Sequence, residues 1–385
     1  MFKRIRDLAA DVLHQCDHVL LLLCLACSAF GIVMIASATR YTGSWRYVAV
    51  QGAATAMGVV LYVFLSAADL PELTKKGWKW ILAFSLVIVV LLKTPLGVAD
   101  DTGNRAWLKF PFLPVSIQPV EFVKLCFILL LAKQLDWLKR ERKDLKSVKS
   151  IGFLLAHFMV LFGLYYAISA DMGSGLVLLF IFACMCFVAG VAWYWFVSGI
   201  MVGGIAFYLL WEEDVIKPYM KQRFLVLFDH SIDPQGVSWQ QTRSLLALGG
   251  GKLTGQGLFQ GTQTQSAFAA SLPNRRTDFI FSVVGEELGM LGCLAVLLLL
   301  GAVIVRCILV AVKARSSMEV LVCVGVASML LFQLIANVGM CLFVLPVIGL
   351  TLPFFSYGGS SVLALYLAMG LVSSVHNRSL PEWLR

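Results

Sequence analysis

Charge is scarce in this chain of 385 residues: Asp, Glu, Lys and Arg make up 14%, whereas 59% of the residues are hydrophobic. A soluble domain carries roughly 25% charged residues, so a water-soluble fold is excluded. Histidine is rarer still, with five scattered residues and no HExxH or other metal-ligand spacing. No metal ligands are expected, and the sequence requires no cofactor. No Walker A loop occurs either, because Lys252 in the glycine-rich stretch 248–257 is followed by Leu253. A cleavage region is missing after the first apolar block, 19–38, which therefore reads as a signal anchor. Ten cysteines are present, but nearly all lie in apolar stretches, including the Cys24 and Cys27 CxxC. They are expected to pack as small hydrophobes rather than to form disulfides or hold zinc.

What the chain does have is long uncharged runs, each able to cross a hydrocarbon core that needs about 20 residues. Ten spans are expected, near 19–38, 47–68, 78–92, 117–132, 151–169, 172–190, 193–211, 288–309, 320–344 and 357–376. The uncharged stretch 172–211 must hold two of them, with a tight turn near Gly190. The fold class is an all-α polytopic membrane protein, a single transmembrane domain over 1–385, with a long extracytoplasmic loop, 212–287, between spans seven and eight.

The net charge of +9 arises from Lys and Arg clustered between spans. There they set topology, and no nucleic-acid partner is read from them. An inside amino terminus places Lys3, Arg4 and Arg6, then Lys75, Lys76 and Lys79, then the seven basic residues of 133–149 on the cytoplasmic face. Arg306, Lys313, Arg315, Arg378 and Arg385 join them, while the short outer connections hold only Arg40, Arg46, Lys93, Arg105 and Lys109. Both termini are expected in the cytoplasm. The two long outer connections, 93–116 and 212–287, are where chemistry is expected, because long loops in a compact protein are usually functional or disordered and the second is too apolar for disorder.

Within the second loop, Asp278 follows Arg275, Arg276 and Thr277 and precedes an apolar run that re-enters the membrane. A carboxylate at the water–lipid boundary suits a general base acting on a lipid-borne substrate; a salt bridge or helix cap is the structural alternative. The glycines around Lys252 read either as an anion-binding backbone beside a cation or as a re-entrant hinge. Glu121 and Lys124 share a helix face and, with Asp171, are buried charges that face a cavity or each other. Gln333 and Asn337 read as interhelical glue. The stretch 353–361, which includes Ser356 and Ser360, breaks and restarts a helix, either to hold a phosphate on free amides or for close packing. Gly199, Gly203 and Gly204 line a helix contact or pack ordinarily.

Taken together the motifs resemble the SEDS family, the bacterial shape, elongation, division and sporulation proteins that include RodA and FtsW. The resemblance runs over nearly the whole chain. It is carried by Gly103-Asn104-Arg105-Ala106-Trp107-Leu108, Gln118-Pro119-Val120-Glu121-Phe122-Val123-Lys124 and Asp171-Met172-Gly173. Further on come Gly261-Thr262-Gln263, Thr277-Asp278-Phe279-Ile280-Phe281, Gly285-Glu286-Glu287, Asn337-Val338-Gly339-Met340 and 352–361. It implies a ten-span peptidoglycan glycosyltransferase of the bacterial cytoplasmic membrane that uses lipid II and works with a class B penicillin-binding transpeptidase.

By that resemblance Asp278 is the catalytic acid–base residue, Trp107 an outer-loop substrate contact, and Glu121, Lys124 and Asp171 cavity residues. Lys252, Arg275, Arg276, Ser356 and Ser360 complete the expected substrate-binding set, with the cations, or a divalent ion such as Mg, offsetting the leaving diphosphate. The chain departs from the family pattern at Val50, Val120, Asn274 and Arg276. The segment 345–349 leans toward the RodA branch. A lipid flippase or transporter is the competing reading, with Glu121, Lys124 and Asp171 as its essential residues; a non-enzymatic scaffold for a transpeptidase is the third.

Overall fold

The computed structural model describes residues 16–99, 104–111, 116–142, 145–213, 218–229, 236–268 and 271–380. Gly103, Lys143, Arg385 and the basic residues of the amino-terminal tail lie outside them. Helices α1 (His18–Thr39), α2 (Arg46–Ser66) and α3 (Leu70–Val90) are followed by a two-stranded antiparallel pair, β1 (Gly97–Val98) and β2 (Trp107–Leu108). Then come α4 (Pro119–Trp137), α5 (Val148–Ser169), α6 (Met172–Ala189) and α7 (Trp193–Glu212). Two short helices, α8 (Pro218–Leu225) and α9 (Val237–Gly251), lie in the long loop, and α10 (Ile280–Lys313), α11 (Ser317–Cys341) and α12 (Gly359–Ser379) complete the bundle.

Eight of these helices are long and apolar enough to cross a membrane: α1, α2, α5, α6, α7, α10, α11 and α12. The other two long helices coincide with the expected third and fourth spans but carry more charge. In α3 this is Glu72, Lys75, Lys76 and Lys79, near a start set by the Asp69 cap and Pro71. In α4 it is Glu121, Lys124, Lys133 and Asp136, yet fourteen of the nineteen residues of α4 are buried. Burial among other helices is what makes so polar a sequence tolerable. Helix α7 is the opposite case, with no buried residue at all. A Cβ on Gly199, Gly203 or Gly204 would meet no atom within 4 Å among the described residues, so these glycines make no helix contact within the chain. Gly190, left-handed at φ 96°, ends α6 and makes the turn into α7 that the uncharged stretch requires.

The eighth span departs most from expectation. It was placed at 288, but helix begins at Ile280 and continues to Lys313 through a kink at Gly289 (φ 67°, ψ −162°). Hydropathy breaks at Glu286 and Glu287, which is why sequence assigns this turn to the loop. Both side chains are buried, and both are fully hydrogen-bonded. The Glu286 carboxylate accepts from the Gln263 amide (2.7 Å), the Thr264 amide (2.8 Å) and the Thr264 hydroxyl (2.6 Å). Glu287 accepts from Ser37 of α1 (2.6 Å), Gln265 Nε2 (2.8 Å) and the Phe259 amide (3.1 Å). Gly261 has no room for a side chain here: a Cβ would sit 2.7 Å from a Glu286 oxygen. The loop is thus folded onto α10 by two anions that collect its amides. Glu286→Ala would leave the amides of Gln263 and Thr264 buried without acceptors, at a cost of about 3 kcal/mol. Thermal unfolding of the purified protein in detergent should show a fall of several degrees, smaller for Glu286→Gln.

Candidate functional site

Asp278 stands just before α10, on a segment whose backbone is held at three consecutive carbonyls. The Tyr357 amide donates to the Arg276 carbonyl (2.8 Å), Ser356 Oγ to that of Thr277 (2.5 Å) and Asn337 Nδ2 to that of Asp278 (2.8 Å). The stretch 353–361 is itself fixed by Gln51, whose side chain donates to the Ser356 carbonyl (3.1 Å) and accepts from the Gly358 amide (3.1 Å). Ser356 also accepts from the Leu352 amide at 2.8 Å. The Gly358 amide is thus occupied, and Ser356 packs this stretch against the backbone leading to Asp278. Ser360 accepts from the Gln118 amide (3.2 Å), tying α12 to the start of α4.

The Asp278 side chain is partly buried, and burial pushes its pKa up from 3.8 to about 6. Arg223 opposes that rise, the like charge of Asp171 adds to it, and a hydrogen bond from Thr277 again opposes it. Asp171 and Arg223 both line an open cleft with Asn104, Met220 and Ile348. The structure therefore couples Asp278 to two charged residues that come from α6 and α8. Asp171 is also the cap of α6, accepting from the Ser174 amide (3.2 Å), Ser174 Oγ (2.7 Å) and Tyr165 (2.8 Å). Arg223 donates to the Val347 carbonyl at 2.8 Å, so 345–349 contributes a wall of the cleft.

The remaining candidates are placed as follows. Trp107 is half-buried on β2, opposite Val98, and Asn104 of the same motif reaches the cleft. Arg275 is buried and spends its donors on the carbonyls of Gln263 (3.2 Å), Thr264 and Ser266 (3.1 Å), with its guanidinium 3.7 Å from the centre of the Tyr41 ring. It clamps the same turn whose amides bind Glu286. Arg276 lies 4.6 Å from the centre of the Tyr47 ring and keeps its head partly exposed. Lys252 is exposed at the end of α9, with its carbonyl accepting from the Met290 amide at 2.9 Å, and does not line the cleft. In the same glycine-rich stretch Gly255 (φ 82°) packs on the backbone of Glu287. Glu121 and Lys124 form a buried ion pair at 2.8 Å within α4.

Sequence reasoning missed Arg223. Nothing in the spacing of α8 points to it, since its place beside Asp278 comes from the fold of the long loop. It also missed that Asn337, read as glue between helices, holds the carbonyl of Asp278. Because burial raises the pKa of Asp278, the folded state is favoured by protonation between pH 6 and 4 and penalised by the ionised carboxylate above 6. Asp278→Asn should accordingly melt at or above the wild-type temperature at pH 8, with the difference closing as pH falls toward 4 in a melting series.

Residues 17–380 match the FtsW, RodA and SpoVE family, described as cell cycle proteins. The chain is 33% identical to the probable peptidoglycan glycosyltransferase FtsW of Thiomicrospira cyclica, over 92% of this chain and 90% of that one. It is 31% identical to the peptidoglycan glycosyltransferase MrdB of Escherichia coli K12, covering 83% of each. Stage V sporulation protein E of Bacillus subtilis is also 31% identical, over 94% of this chain and 97% of its own length. Among solved structures, a chain of a peptidoglycan synthase complex that coordinates polymerization and crosslinking superposes with a TM-score of 0.78 at 30% identity, covering 94% of this chain and 98% of that one. RodA of Thermus thermophilus gives 0.68 at 28% identity, with 95% and 98% covered. Relatives named for different branches match almost equally, so the lean of 345–349 toward RodA does not separate them. The chain belongs to the FtsW, RodA and SpoVE family of membrane proteins.

Proposed function

We propose that this chain is a peptidoglycan glycosyltransferase that polymerises lipid II at the outer face of the bacterial cytoplasmic membrane, for cell shape, elongation or division. Asp278 is its general base. The observation that supports this most is a carboxylate at a helix entrance with its pKa raised to about 6, coupled electrostatically to Asp171 and Arg223, which line a cleft that Asp278 itself does not line. Both relatives named glycosyltransferases share this chain's length and family. The ten-span arrangement, with both termini inside, is part of the proposal and rests on the distribution of Lys and Arg.

In this reading Asp278 takes the proton from the acceptor sugar hydroxyl as its oxygen attacks the anomeric carbon of the growing strand. The carbon–oxygen bond to the polyprenyl diphosphate breaks with inversion, and the electron pair leaves on the diphosphate. That group is already a stable anion, so a protonating acid is unnecessary; counter-charge suffices. Arg223, in the cleft, and Arg276, with its partly exposed head, are best placed to supply it. Arg275 and Lys252 are not, because one is consumed by loop carbonyls and the other lies away from the cleft. Asp171 contributes by keeping Asp278 basic, and Trp107 and Asn104 frame the outer side. A divalent cation such as Mg, arriving with the diphosphate, is additional counter-charge. Among the described residues no three His, Cys, Asp or Glu side chains converge to hold one as a resident cofactor. A class B penicillin-binding transpeptidase is the proposed partner, in line with the solved complex that joins polymerization to crosslinking.

Glycan synthesis from purified lipid II tests the assignment. Asp278→Asn should lose at least about a hundredfold in rate while remaining folded, whereas Glu121→Gln and Lys124→Met should lower stability more than the rate of the folded fraction. Essential Glu121, Lys124 and Asp171 with a dispensable Asp278 would instead support a transporter. Normal partner-dependent wall synthesis with every acid neutralised would support a scaffold. The rate of the wild type should rise between pH 5 and 7 with an inflection near 6, since the base works only when ionised.

A further inference from the structure

At the opposite, basic end of the bundle, α3, α4 and α5 leave an open apolar groove of about 1090 Å³. Trp78 and Leu82 form one wall, Trp137 and Lys133 the floor toward the surface, and His157 and Val160 the other wall. Trp137 and Val160 are 46% and 52% exposed, so the protein itself does not fill the space. Trp78 and His157 lie eight and nine residues from the starts of their helices, a depth of about 12–14 Å at 1.5 Å per residue. A groove of that depth runs from the headgroup level into the hydrocarbon.

Its charge is specific. Lys133 Nζ lies 4.8 Å and Lys79 Nζ 5.8 Å from the centre of the same Trp78 ring, so two ammonium groups flank one indole at the mouth. Lys133 donates one hydrogen bond, to the Thr74 carbonyl at 3.1 Å, and an ammonium has three donors. The nearby carboxylates are taken: Glu72 pairs with Lys76 and Asp136 with Arg140. His157 is committed to the wall, since its Nδ1 shares a 2.6 Å hydrogen bond with Gln134 Oε1, and Gln134 donates in turn to the Phe153 carbonyl. Further along lie Lys75, Lys139, Lys146 and Lys149. An apolar slot with cations at its mouth and interfacial tryptophans on one wall and on the floor matches an anionic amphiphile in chemistry and in depth.

We propose that this groove binds one anionic phospholipid of the cytoplasmic leaflet, its phosphate held by Lys133 and Lys79 and an acyl chain lying between Leu82 and Val160. The site is separate from Asp278 and its cleft. It rests on the proposed orientation of the chain but not on the glycosyltransferase reading.

Native mass spectrometry of the full-length protein, delipidated in detergent and titrated with phosphatidylglycerol or phosphatidylcholine, decides the matter. One phosphatidylglycerol per chain should be retained in preference to phosphatidylcholine. Lys133→Gln should weaken that binding about fivefold, and Val160→Trp, which fills the slot, should remove it for both lipids. Circular dichroism melting verifies that each variant is folded; should Val160→Trp fail to fold, the milder change Lys133→Gln decides alone. Equal retention of the two lipids, phosphatidylglycerol binding untouched by Lys133→Gln, or a second copy of the chain recovered in place of lipid would each overturn the proposal.

Discussion

The structure around the site depends on one turn, 263–266, being gripped from both sides. Glu286 takes its amides and Arg275 takes its carbonyls, so a single stretch of backbone has both of its hydrogen-bonding faces satisfied by opposite buried charges. In a setting where an unpaired polar group costs several kcal/mol, that arrangement leaves the turn little freedom. Arg275 is then fixed, and the three residues after it emerge in a defined direction. The carbonyls of Arg276, Thr277 and Asp278 complete the hold on 353–361 and α11. What is left over, after so much backbone is committed, is one carboxylate side chain.

That carboxylate is placed at a cost. Burial and the nearby Asp171 both disfavour its ionised form, and Arg223 only partly offsets them. The same environment that penalises the folded state above pH 6 brings the carboxyl's proton affinity close to neutrality, the range that the proposed general-base role requires. Stability and reactivity are here two readings of one local field. The other polar residues of the bundle differ in kind. Glu121 with Lys124, and Asp17 with Arg306 at 2.8 Å, are close ion pairs. The first lies within α4 and the second ties the cap of α1 to α10.

Much of this was legible in the sequence, for identifiable reasons. Uncharged runs bounded by basic residues gave α1, α2, α5, α6 and α7 nearly to their ends, and Gly190 marked the turn because only a residue tolerant of positive φ closes α6 there. Asp278 stood out as a carboxylate between arginines and an apolar re-entry. Reading failed where a long-range partner changes what a residue means. Glu286 and Glu287 looked like the end of a polar loop, yet they are the first turns of a buried helix because distant amides neutralise their cost. Arg275 looked like a free cation, yet loop carbonyls take its donors. Arg223 could not be found at all, since its role arises from the folding of 76 loop residues rather than from any local pattern.

The central claim is that Asp278 is a carboxyl group whose proton is lost near pH 6, and difference infrared spectroscopy of the protein in detergent tests it most directly. The wild type minus Asp278→Asn spectrum should show a protonated carboxyl stretch that disappears with a midpoint near 6. A midpoint near 4, the value of an ordinary exposed aspartate, would contradict the account.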